Sequence, residues 1–184
     1  MKIYSRLHWK LLENEKVVKH GTVIPHSFVK AFPQLLYANM SSTNTTITDF
    51  TNTPLVVGAT GQHFKADGLS GDPTLGINIG TGTVAPTIND IWMQSYIPVG
   101  TGAGQMLYGA VSFIAPVVTG GKCTFFIQRI FTNNSGNSIA VSEVGITVNS
   151  FGADRFTIER TVIAPILVLN TQSLQINYEI GVTV

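Results

Sequence analysis

Charge is what this chain has least of. Eleven Lys and Arg stand against ten Asp and Glu in 184 residues, so 11% are charged and the net charge is +1. That is less than half the usual share of about 25%. Such a balance excludes a chain that binds nucleic acid through overall positive charge, and one kept disordered by self-repulsion. Cysteine is reduced to Cys123, which excludes an internal disulfide framework and fits a reducing compartment. Long apolar runs are missing too. The stretches at 109–118 and 162–169 are broken by Pro116 and Pro165 and fall short of the ~20 residues of a membrane span. The opening MKIYSRLHWK alternates apolar and polar residues, so it is not read as a secretory leader.

What fills the gap is neutral and polar: 21 Thr, 12 Asn and 18 Gly. Thr favours the pleated strand, and Asn and Gly favour tight turns. Ile3, Ser5, Leu7, Trp9 and Leu11 alternate with Lys2, Tyr4, Arg6, His8 and Lys10, which predicts a half-buried strand. A turn at 13–15 and a short strand at Val17–Val18 make a hairpin. Helical spacing occurs once, in Phe28, Phe32, Leu35, Leu36 and Met40, with Ser27 as the cap. Pro33 then either kinks a helix over 28–40 or sits in the first turn of a shorter one, 33–39. Residues 58–82 hold seven glycines and read as a long excursion. Strand signals follow at 75–79, 91–97, 105–118, 122–132, 138–148, 155–163 and 173–184. Alternating strands without strand–helix–strand repetition predict a single all-β domain over 1–184, an antiparallel jelly-roll-like sandwich with one short helix near 28–40.

Motifs for chemistry are thin. GTGTVA at 80–85 has the loose glycine spacing of a dinucleotide loop but leads into Pro86 and a turn, not a helix. GGKC at 120–123 lacks the hydroxyl residue and first glycine of a phosphate loop. His8, His20, His26 and His63 have no metal-ligand spacing, and Asp67 and Asp72 read as turn residues. No cofactor or metal is expected, and no catalytic set. Glu143 lies in a strand apolar on both sides, where a lone carboxylate is costly. The expectation is a structural ion pair with Arg129 or Arg160 that fixes strand register.

The first 30 residues carry six of the eleven basic side chains. Without an aromatic ladder or a nucleic-acid motif, they read as a docking arm over 1–20 for a partner subunit, with Lys2, Arg6, His8 and Lys10 on its polar face.

Three segments carry a resemblance. GINIGTGTVAPTIND at 76–90, FTNNSGNSIAVSEVGI at 131–146 and NTQSLQINYEI at 170–180 resemble turn-and-strand patterns of small structural proteins of tailed bacteriophages. The similarity spans roughly 76–184 and implies a capsid, neck, tail or fibre component. The expected function is therefore a structural subunit of a phage-like virion, in the neck or tail or attached to the capsid. It would be no enzyme and would assemble in the host cytoplasm. Its partners would be copies of itself and other virion proteins, with no membrane and no specific nucleic acid. The alternative is a carbohydrate-binding host-recognition module, with Trp92, Tyr96 and Tyr108 as an exposed platform for a glycan.

Overall fold

A computed structural model describes residues 2–24, 28–41, 44–57, 64–150 and 154–183; of residues 2, 3, 37, 39–41 and 183 it describes the backbone alone. The chain folds as an all-β sandwich of antiparallel sheets with one short helix. The first strand, β1 (Lys2–Glu13), turns through Asn14 and Glu15 into β2 (Lys16–Val23). Both turn residues take left-handed φ, 47° and 64°, which matches the twist of a two-residue hairpin. Trp9 faces Gly21 across this pair, and a Cβ at Gly21 would stand 2.7 Å from the indole, so only glycine lets the ring lie flat there.

The helix, α1 (Ala31–Ser41), starts three residues later than the apolar spacing suggests. Pro33 is its third residue, in the first turn, where an amide has no intrahelical partner to lose. Phe28 instead bridges to the sheet at Glu159. The proposed cap, Ser27, lies outside the described residues, as do His26 and His63. A small hairpin of β3 (Thr45–Thr48) and β4 (Pro54–Val57) follows.

The remaining strands build the two layers. They are β5 (Gly76–Gly80), β6 (Leu107–Tyr108), β7 (Ser112–Thr119), β8 (Lys122–Thr132), β9 (Ile139–Asn149), β10 (Arg155–Val168) and β11 (Ser173–Thr183). The larger sheet runs β2-β1-β11-β8-β6, with β7 also paired to β8; the smaller runs β10-β9-β5. Leu7, Ile127, Phe131, Leu174 and Ile176 from the larger sheet meet Ile77, Ile79, Val144, Ile146 and Phe156 from the smaller in one buried cluster. The smaller sheet is buried on both faces, and β9 shows it: every residue from Val141 to Val148 is buried. Its second face lies under the segment 81–98.

Three expectations change. The 91–97 segment is no strand. The amides of Gln94 and Ser95 donate to the Glu143 carboxylate, at 2.7 and 3.1 Å, instead of entering a ladder. The 105–118 stretch divides into β6 and β7. Between them, the Val111 amide turns to the Gly68 carbonyl, and the Gly109 carbonyl turns to Arg129. The N-terminal segment is no separable arm. β1 pairs with β2 on one edge and β11 on the other, and it buries Leu7 and Leu11 in the core.

Candidate functional site

Among the described residues, buried charge is gathered at Asp49, which caps its own turn through Thr51 and Thr53, and at three nodes that tie distant segments together. The first is Arg129, 1% exposed. It stands on β8 facing the interior, in register with Ile176 of β11. Its guanidinium donates to five carbonyls: Gly109, Leu75, Ile77, Leu69 and Asp72, at 2.6 to 3.1 Å. Tyr108 and Phe131 lie under the cation, at 4.9 and 5.8 Å. Burial pulls the group down to about 10, so it remains charged at neutral pH. The expected pairing of Arg129 with Glu143 is not formed. The two side chains belong to different sheets, and the fork of Arg129 is taken up by carbonyls of the 69–77 segment and Gly109.

Glu143 meets Arg160 instead. The two strands are neighbours, and Arg160 Nε donates to Glu143 Oε1 at 2.5 Å. Gly82, Gln94 and Ser95 donate their amides to the same carboxylate. Gly82 is required for that approach, since a Cβ there would stand 2.4 Å from Oε2. Arg160 has two further partners, Asp90 at 2.7 Å and the Val84 carbonyl at 3.0 Å. Asp90 in turn caps its own turn by accepting from the Thr87 amide and hydroxyl. The network pins the 81–95 segment onto the smaller sheet. Four donors occupy the Glu143 oxygens, which leaves no lone pair directed at a reacting group.

The third point was not anticipated. Glu159, on β10, faces the interior and accepts from Thr161 and from Tyr178 of the opposite sheet. Burial raises its carboxyl to about 7, against the opposing pull of those hydrogen bonds and of Arg160. The group binds a proton more tightly folded than unfolded. Its contribution to stability is complete below pH 4.5, falls as pH rises towards 7, and is absent above. The loss over that interval is about 3 kcal/mol. Glu159→Gln is expected to flatten this slope and to unfold at higher urea than the parent at pH 8. Parallel pH curves for the two proteins would show that Glu159 does not titrate there.

On the outer face of β1, His8 bonds Glu179 at 3.1 Å and Thr22 at 3.0 Å. Arg6 lies over the Tyr4 ring and is exposed, as is Lys10. The side chain of Lys2 lies outside the described residues. Of the three expected docking side chains that are described, His8 is tied within its own sheet, and Arg6 and Lys10 are exposed. The aromatic platform does not form. Tyr108 is 2% exposed, and its hydroxyl donates to the Ile97 carbonyl at 2.6 Å. Trp92 packs between Phe50 and Tyr96, with ring centroids at 4.9 and 6.0 Å.

One accessible feature is strongly apolar. A cavity of about 310 Å³ opens between the helix side and the two sheets. Phe28, Phe32 and Leu36 wall it on the helix side, and Phe113, Phe125 and Ile180 on the larger sheet. Beside it, all eight residues of β7 are exposed. Among the described residues, no group of three or more His, Cys, Asp and Glu is placed to hold a metal ion, and no helix is long and apolar enough to cross a membrane. The fold and these features define a β-sandwich with an apolar cavity beside an exposed apolar strand. Comparison of the chain with protein-family models, curated proteins and solved structures finds no match.

Proposed function

We propose that this protein is a structural subunit of a phage-like virion, working in a neck, tail or capsid-attached position by packing against copies of itself and neighbouring virion proteins. One observation carries the reading. Strand β7 leaves Phe113, Ile114, Val117 and Val118 uncovered, next to an apolar cavity, in a chain with few charges to keep it apart from its neighbours. Surface apolar groups that form a continuous patch mark contact sites on soluble proteins. The turn-and-strand resemblance over 76–184 supplies the kind of assembly. Sedimentation over a concentration series is the test, with a reconstitution in which the protein is offered to particles that lack it. Growth of an oligomer and uptake into particles is the expected result. A monomer at every concentration that also stays off the particles would remove the proposal.

A further inference from the structure

The open edges of the two main sheets differ in charge, and that difference selects a contact. The free edge of β10 is occupied: the Val29 amide bonds Ile158, and the Phe50 amide bonds Arg155. That of β5 is occupied by the Ile97 amide on Ile79 and a bridge to Tyr96. Strand β2 is uncovered but carries Lys16, Lys19 and His20, so two copies brought edge to edge would oppose like charges. Strand β7 pairs with β8 alone among the described residues. Its sequence, SFIAPVVT, has no charge to repel its own copy.

The register of β7 is also self-complementary. Phe113 and Val118 stand opposite Ile127 and Cys123, on the inner face; Ile114 and Val117 stand opposite Phe126 and Thr124, on the outer face. Between them lies the Ala115–Pro116 irregularity in the ladder. A two-fold axis through that point, normal to the sheet, keeps inner residues inner. It sets Phe113 opposite the second copy's Val118, and Ile114 opposite its Val117. Pro116, which has no amide to donate, then falls at the axis, between the matched pairs. Closed two-fold contacts use one patch on both subunits, as this register does.

Resting on the subunit reading above, we propose that β7 is the self-association edge: two copies pair their β7 strands antiparallel about Ala115–Pro116 and join their larger sheets into one. The occupant is a second copy because an uncharged strand with matched apolar residues about its own midpoint fits its own image on both faces.

The test uses the full chain. Ile114→Lys and Val117→Glu, each alone, place a charge against an apolar partner and are expected to weaken association at least about tenfold. The double variant sets the two charges opposite each other across the axis and is expected to recover most of the lost association. In the parent protein, hydrogen exchange at β7 amides is expected to slow as concentration rises, which gives a readout independent of any substitution. A parent that never associates overturns the subunit reading. A parent that associates, with singles and exchange unaffected or a double no better than the singles, overturns only the assignment to β7.

Discussion

Arg129→Met is expected to cost more than 4 kcal/mol in urea denaturation, and Arg129→Lys at least half as much. A hydrogen bond to a charged group contributes about 1.5–3 kcal/mol, and a buried acceptor left without its donor costs about 1–3 kcal/mol. Arg129 satisfies five carbonyls drawn from 69–77 and 109. Methionine fills part of the volume and donates to none. Lysine keeps the charge but presents its donors from a single point, so it cannot span carbonyls that a planar fork reaches from both ends. Set against a typical total of 5–15 kcal/mol, the Met variant loses a large share of its stability. The opposing effect is the cost of burying the cation, which the methionine removes. That cost is already offset by five aligned carbonyl dipoles and two aromatic faces, so the loss of donors wins. A Met variant within about 1 kcal/mol of the parent would show that water replaces the guanidinium without penalty.

How much of this could be read from the residues depends on where each hydrogen bond ends. Strands whose amides pair with other strands announce themselves by alternation: β1, β8, β9 and β11 lie within two residues of the limits that their patterns mark. Elements that end on a side chain do not. Residues 91–97 carry a strand signal, yet two of their amides go to Glu143, 48 and 49 residues further along the chain. The break between β6 and β7 depends on Arg129 in the same way, because a carbonyl leaves no trace in its own side chain. Glu143 was visible as a carboxylate in an apolar strand, and a neighbouring-strand arginine was the natural partner. Which arginine was settled by sheet membership, since β8 and β9 fall in different layers. Glu159 gave no signal of its own, because a carboxylate between Ile158 and Arg160 does not show which face of the strand it takes. The apolar cavity was equally hidden: its walls come from a helix, both sheets and the 64–66 segment.

Glu143→Ala is expected to lower stability by about 3–5 kcal/mol, because it leaves a buried cation and three amides without their acceptor. Arg160→Met should do comparable harm from the other side, leaving the carboxylate buried with its amides but no counter-charge. The informative protein is the double variant, Glu143→Met with Arg160→Met. Exchanging a buried pair for apolar side chains of similar volume is often neutral, so the double is expected to be more stable than either single. Its folded core and its 81–95 segment then part company. Asp90 still caps its own turn through Thr87, but Gly82, Gln94 and Ser95 have lost the anchor that draws them to the sheet. Limited proteolysis should therefore cut the double variant within 81–95 under conditions that leave the parent intact, while its urea midpoint stays closer to the parent's than to that of either single. If the segment stays protected, the apolar packing of Met93 and Ile97 holds it without the ion pair. A double variant as unstable as the singles would mean that the amides, and not the charges, carry the energy of this network.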